Sequence, residues 1–515
     1  MGFSARSSGL LAAALLVVAA LAVAGRLAAP SDLWDQTQPR TLAYTVDMLV
    51  RGGSAWILAR DALDVPATKP PLVNWLAAPW VALFGRGCEF AHRLPSLLAA
   101  AAVVALLVRS GERFGRGVGW LAGLAWLASY ATFKLFALAR PDMPLVLVSL
   151  LGWHAAVRAL AREEGDARAA ALFWASAILA AWAKGPVAVL LPAFAVVASL
   201  CLYGSLRPLV RLHPILGALA FVAVAPSWYL LAALIEPEHV RRTLLGDEVI
   251  GRISGLGPEG GGRGPIAILL ELWKMPFYFA SRSLPWSIPA ILAMLALIDR
   301  RETGQARWRS VQGGGTLLCA ALWLLLVIGA FSLSSGKRAD YVAPALPMAS
   351  LLAAWWLATD RYSPIRFLRN AAAPTLAATA IAIVGALTLR EFVGPVYDRE
   401  TVRRFEEVIG RTKALSDGPP LVVVTPQLTH FPVLLGTLAP RDQRFETLRE
   451  RLARGEPTRA LLADPHHAAE IEELLRRPDA RVLFSVEQGP DALRLGYVSP
   501  IVLVEFGGTA GLLGH

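Results

Sequence analysis

Charge is scarce in this sequence. Asp, Glu, Lys and Arg make up 17% of its 515 residues, against roughly 25% in a soluble domain. With 55% of residues hydrophobic, an ordinary water-soluble fold is excluded. Cysteine is scarcer still: of three, Cys201 and Cys319 fall in apolar runs and Cys88 has no loop partner, so no disulfide is expected. His239 and the pair His466-His467 are too isolated to form a metal signature. No Rossmann or P-loop glycine pattern opens a helix in the C-terminal quarter, so no nucleotide site is inferred there. No internal repeat with a clear period is visible, and no transporter-like inverted repeat. A net charge of +11 would suggest nucleic acid in a soluble protein. Here it is assigned to loop Lys and Arg, which set membrane topology.

What is abundant is apolar sequence in runs of membrane length. Spans are expected at about 9–29, 92–108, 117–136, 143–161, 169–183, 186–204, 213–235, 283–298, 314–334, 341–358 and 370–389, about eleven in all. The first run could pass for a signal peptide, but its length and the many spans behind it favour an uncleaved helix. Two shorter stretches, about 71–84 and 265–281, are broken by Pro and charge and are expected as helices at the interface. Sixteen Trp suit interfacial anchoring.

Arginine then orients the chain. With the N-terminus in the cytoplasm, the loops on that side are 109–116, 158–168, 204–213, 299–310 and 360–369, all short and Arg-rich. The outer face receives 30–91, 137–142, 183–186, 236–265, 334–341 and everything after 390. Residues 391–515 alternate charged helical stretches with the short β-rich runs LVVVT, RALLAD, RVLFSV and IVLVEF, a small extracytoplasmic α/β domain. The expected architecture is thus a polytopic α-helical membrane protein: a transmembrane domain over 1–390 with outer-face juxtamembrane helices, and an α/β domain over 391–515.

The loops with unusual chemistry all fall on the outer face. Their acids are Asp32, Asp35, Asp47, Asp142, Glu236, Glu238, Asp247, Glu248 and Asp340; their cations are Arg40, Lys69, Arg140, Lys184, Arg241, Arg242, Arg252, Lys337 and Arg338. Each alone reads as a snorkelling anchor or a plain ion pair. Several stand where a loop meets a span, a costly place unless paired or wetted. Lys184 follows an apolar run and precedes Gly-Pro; Asp142 sits between Arg140 and MPLVLV. Such placements suit a membrane-facing cavity for an anion. A lipid-linked phosphate is the natural candidate, with a carboxylate nearby to accept a hydroxyl proton.

These residues also carry a resemblance. DQTQPRTLAYTVDML (35–49), KPPLVNWL (69–76), FGRGCEFAHRLPSLL (84–98), ARPDMPLVL (139–147), AKGPVAVLLP (183–192), LPWSIP (284–289) and FSLSSGKRADYVAPALP (331–347) come in family order. Together they resemble the bacterial membrane glycosyltransferases of the GT-C class. More narrowly, the chain is similar to the protein O-mannosyltransferase-like group that includes the lipid A aminoarabinose transferase. Each motif is weak alone, and the resemblance covers about 30–350. It implies a polyprenyl-phosphate sugar donor, an envelope acceptor (lipid, polysaccharide or protein) and inverting transfer at the outer face of the inner membrane.

The family's Asp-Glu pair is missing: Thr37 and Gln38 occupy those positions. Three readings stay open. Asp35 takes the role through a local shift, Asp142 is the main carboxylate, or transferase activity has been lost, leaving a scaffold. A lipid-linked sugar transporter is the other alternative. The resemblance implies donor phosphate contacts at Lys69, Lys184, Arg252, Lys337, Arg338 and Tyr341, with Gln38, Arg40, Arg140 and Glu248 as further candidates. A divalent metal ion stays open as a helper, although Thr68 stands where the family can place a metal ligand.

Overall fold

In hydrocarbon every backbone N–H and C=O must be satisfied within its own segment, which dictates helices for the apolar runs. A computed structural model of the chain describes residues 3–29, 37–61, 64–162, 165–251, 254, 266, 269–299, 306–359, 371–393, 399–415, 417–424, 435, 445–463, 467–489 and 500–507. Among these, eight helices are long and apolar enough to cross a membrane: Ala5–Ala28, Glu89–Phe114, Asp142–Ala161, Ala167–Tyr203, Pro214–Ile235, Gly314–Ser332, Ala339–Thr359 and Ala372–Phe392. Lys274–Arg282 and Ser287–Ile298, bent by 115° at their junction, make a ninth if counted as one broken span. The chain is a multi-pass membrane protein.

This is fewer than the eleven spans expected, for two physical reasons. The runs drawn at 169–183 and 186–204 belong to one helical stretch of 37 residues, interrupted at Gly185, whose φ is 72°. Drawn straight at 1.5 Å per residue, it would measure about 55 Å, nearly twice the roughly 30 Å of a hydrocarbon core. The run drawn at 117–136 breaks at Ser129, which accepts a hydrogen bond from the Thr132 N–H as the cap of Tyr130–Leu135. The piece before it, Val118–Leu127, has only 10 residues.

The chain divides into two compact units. The first comprises Met1–Leu27, Thr68–Val73 and Pro95–Leu389. Its core is packed by Trp126, Trp153, Phe173 and Phe194, all fully buried. Buried indoles call for acceptors, and two of them find backbone carbonyls: Trp153 Nε1 donates to Cys319 O at 3.2 Å and Trp323 Nε1 to Pro344 O at 2.8 Å. Glycines permit the closest helix approach. A Cβ on Gly119 would lie 2.0 Å from Val108 O, and one on Gly111 would lie 2.4 Å from Gly119 Cα. Gly119→Val is therefore expected to lower stability by about 1–3 kcal/mol or more, read as a lower melting temperature in detergent. Gly9→Val, where nothing stands within 4 Å, should leave it unchanged; equal melting of the two variants would contradict the close approach.

The second unit comprises Ala28–Ala67, Asn74–Leu94 and Arg390–His515. The four β-rich runs form one sheet in the order β1-β2-β4-β3, with β1 Leu421–Val424, β2 Thr458–Leu462, β3 Ala480–Val486 and β4 Ile501–Phe506. The β1–β2 pair is parallel, with the helix Phe445–Ala453 in the connection; the other pairs are antiparallel. Elsewhere in this unit the helix Thr37–Arg51 is held by a buried acid. Asp47, 1% exposed, takes Arg51 Nε at 3.0 Å, Arg51 Nη2 at 2.5 Å and the Arg60 N–H at 2.7 Å. Its surroundings make it a structural tie.

Candidate active site

Two helices of the first unit bring opposite charges together by their ends. The turn before Asp142 is fixed by Ser96, whose Oγ donates to Leu138 O at 2.6 Å and Arg140 O at 3.3 Å. The helix Asp142–Ala161 then starts on its acid, which suits the positive end of the helix dipole. The helix Ala167–Lys184 ends on its lysine, which suits the negative end. Gly185 stops it there with a left-handed φ of 72°, and a Cβ at that position would lie 2.6 Å from the Tyr229 hydroxyl. The two helices pack against each other, so Lys184 Nζ meets Asp142 Oδ1 at 2.5 Å.

Asp142 is 2% exposed. Its second oxygen lies 3.1 Å from Arg140 Nε, in ion-pair contact but outside hydrogen-bond alignment. Arg140 also donates to Asp340 at 3.0 Å. Lys184 Nζ sits 5.0 Å from the ring centroid of Tyr341, a cation–π contact, and that ring leans on Phe331 at 4.8 Å. The result is a fixed frame of two cations on one carboxylate, with an aromatic lid.

In front of this frame lies a cavity of about 260 Å³. Lys69, Lys184, Tyr341, Tyr229, Glu248 and Phe331 line it, with Thr68, Ser334 and several apolar side chains. Burial, reinforced by repulsion from Lys184, pushes the Lys69 ammonium down to about 8, while Asp142 and Glu248 hold it up. Two lysines converging on one small, mostly apolar space form a seat for an anion.

The sequence-derived residues separate cleanly. Lys69, Lys184, Tyr341 and Glu248 line the cavity, and Asp142 and Arg140 stand buried behind Lys184. Lys337 and Arg338 are not among the lining residues. Lys337 Nζ lies 4.0 Å from Glu271, and burial lowers its pKa from the ordinary lysine value while Glu271 opposes. Arg338 is exposed and precedes the tight turn Ala339–Ala345 that carries Tyr341 inward. Asp35 and Arg252 lie outside the described residues. Gln38 and Arg40 belong to the second unit: Gln38 is buried, and Arg40 pairs with Asp61 at 3.3 Å.

Sequence reasoning missed Tyr229 and Asp61. Tyr229 had a signal, a phenol in an otherwise apolar span. Asp61 had none, since nothing local marks it as 3% exposed. Among the described residues no group of three or more His, Cys, Asp or Glu side chains is placed to hold a metal ion.

The fold has counterparts among solved structures. The crystal structure of ArnT from Cupriavidus metallidurans bound to undecaprenyl phosphate matches with a TM-score of 0.69 at 18% identity, covering 97% of this chain and 98% of that one. An oligosaccharyltransferase from Archaeoglobus fulgidus matches with a TM-score of 0.52 at 12% identity, over 82% of this chain and 61% of that one. At these identities the likeness is one of fold.

Parts of the sequence are similar to membrane glycosyltransferases. The family model described as dolichyl-phosphate-mannose-protein mannosyltransferase matches residues 68–231. The undecaprenyl phosphate-alpha-4-amino-4-deoxy-L-arabinose arabinosyl transferase of Pseudomonas aeruginosa is 30% identical over 397 residues, 72% of this chain and 64% of that protein. The chain spans 61%, 64% and 60% of the first three curated relatives it matches, under two thirds of each.

Proposed function

We propose that this chain transfers a glycosyl group, with inversion, from a polyprenyl-phosphate-linked sugar to an envelope acceptor at the outer face of the inner membrane. The observation that carries this reading is the pair Lys69 and Lys184 on the wall of a cavity of about 260 Å³, with Lys184 fixed by the buried Asp142. The relatives' printed names and the ligand in the ArnT crystal structure support a polyprenyl phosphate as the carrier.

In this mechanism the donor phosphate lies against Lys69 and Lys184, with Tyr341 beside it. An acceptor oxygen attacks the anomeric carbon on the face opposite the phosphate. The bond from that carbon to the phosphate oxygen breaks, its electron pair leaves with the lipid phosphate, and the two ammonium groups stabilise the growing charge. Asp142 acts as a positioning residue, because both its oxygens already face cations. The proton of the acceptor goes to a carboxylate on the acceptor side. Glu248 is the carboxylate among the described lining residues, and Asp35 on the first outer loop is the other candidate.

The transferase is assigned to 1–390 and the outer α/β domain to 391–515, with the N-terminus in the cytoplasm. That side for the tail requires an odd number of crossings, as when the bent pair Lys274–Arg282 and Ser287–Ile298 counts as a ninth span; a periplasm-specific reporter fused after His515 should be active. The enzymatic test uses purified full-length protein with a polyprenyl-phosphate sugar and an envelope extract as acceptor. Release of free polyprenyl phosphate together with a glycosylated product is expected; donor that stays intact with every acceptor fraction overturns the reading.

A further inference from the structure

The helices that carry the donor cavity at one end carry a second cavity at the other, and the transfer chemistry does not use it. Arg158 stands sixteen residues along the helix from Asp142, about 24 Å at 1.5 Å per residue. There a cavity of about 790 Å³ is lined by five arginines, Arg109, Arg113, Arg158, Arg162 and Arg168. Ser110 and His154 also line it, with Ser110 Oγ 3.0 Å from His154 Nε2. The remaining wall is largely apolar, from Leu106, Leu151 and Leu172 among others.

Topology alone accounts for arginine on this side of the chain. It does not account for arginines set around a concavity with an apolar wall and a hydroxyl–imidazole pair inside. Nor are all of these charges consumed locally. Asp166 serves two of them, Arg158 Nε at 2.6 Å and Arg162 Nη1 at 3.4 Å. Glu112 turns away to accept the N–H groups of Gly117 at 2.9 Å and Gly119 at 3.2 Å. Arg109, Arg113 and Arg168 have no carboxylate partner among the described residues; Glu163 and Glu164 lie outside them. Guanidinium groups bind phosphate oxygens in pairs, and an apolar wall beside them suits a hydrocarbon chain. All of these residues belong to the first unit.

We propose that this cavity binds the phosphate headgroup of an anionic membrane lipid, with an acyl chain along its apolar wall. The site is separate from the donor cavity and does not depend on the transferase reading. Native mass spectrometry of the full-length protein tests it with three probes: phosphatidylglycerol, phosphatidylcholine and inorganic phosphate. Phosphatidylglycerol should stay bound to the wild type and phosphatidylcholine should not. The double variant Arg113→Gln/Arg168→Gln should weaken retention about tenfold or more, the scale of losing charged hydrogen bonds, and Arg113→Lys/Arg168→Lys should recover part of it. Melting temperatures of both variants guard against a folding defect. Equal phosphatidylglycerol retention by wild type and the Gln variant overturns the site. Displacement of the lipid by inorganic phosphate at equimolar concentration overturns the lipid assignment in favour of a soluble anion.

Discussion

Under the proposed function, Lys184→Ala is expected to slow glycosyl transfer by about two to three orders of magnitude, the cost of removing one preorganised group that stabilises developing charge. The variant has two defects that can be separated. It removes a cation from the leaving phosphate, and it leaves Asp142, at 2% exposure, with only Arg140 opposite. Breaking a buried pair by deleting one partner typically costs about 3–5 kcal/mol; with Arg140 still 3.1 Å away, the low end of that range is expected. Lys184→Met combined with Asp142→Asn removes both charges together, so stability should return towards that of the wild type while transfer stays lost. The measurements are melting temperature in detergent and initial rate of donor consumption. Recovery of activity in the double variant would show that Lys184 supports the fold and not the phosphate.

The second large effect is on pH. Lys69 has its ammonium pushed down to about 8 by burial and by Lys184, so in the empty cavity it is charged below that pH and neutral above it. If the charged form receives the donor phosphate, kcat/KM, which reports the free enzyme, should be flat below about pH 8 and fall about tenfold per unit above it. Lys69→Arg keeps its charge throughout this range and should remove that alkaline limb; Lys69→Ala should be slow at every pH. The stability contribution of the empty protein runs the other way. The folded value lies below the ordinary 10.5, so the unfolded chain holds the extra proton between the two values. The contribution of Lys69 to stability therefore rises with pH from about 8 and levels off above 10.5. An alkaline limb identical in wild type and Lys69→Arg would assign the titration to another group.

What the sequence disclosed about this protein follows from how local each signal is. Span positions depend on runs of side chains, and the runs near 9–29, 143–161 and 314–334 all appear as helices. Breaks depend on one residue each, which is why the 37-residue stretch with Gly185 inside it and the short helix before Ser129 changed the count. The β-rich runs of the tail were legible because short apolar runs between charged stretches are also a local signal.

The candidate site was legible through motifs at helix boundaries: Asp142 begins a helix, Lys184 ends one, and Lys69 stands just before the short helix Leu72–Phe84. Direction was not legible. Lys337, Arg338 and Tyr341 are neighbours in sequence, yet the tight turn Ala339–Ala345 carries only Tyr341 into the cavity wall. Asp47, one of the outer-face acids, is a buried tie, because its partners Arg51 and Arg60 are set by a fold-back that no period announces.

The contact between Lys184 and Asp142 bears on turnover as well as on rate. A lysine that already holds a carboxylate at 2.5 Å meets an incoming phosphate as a shared ion. Under the proposed function, its attraction to the intact donor would be tempered and would grow only as the glycosidic bond stretches and charge gathers on the leaving oxygen. Differential attraction of that kind is what accelerates a reaction. In the proposed reaction it would also avoid a familiar trap: once the sugar has gone, the spent lipid carrier would leave a cation that has its resident anion to fall back on, and the cavity would be free for the next donor.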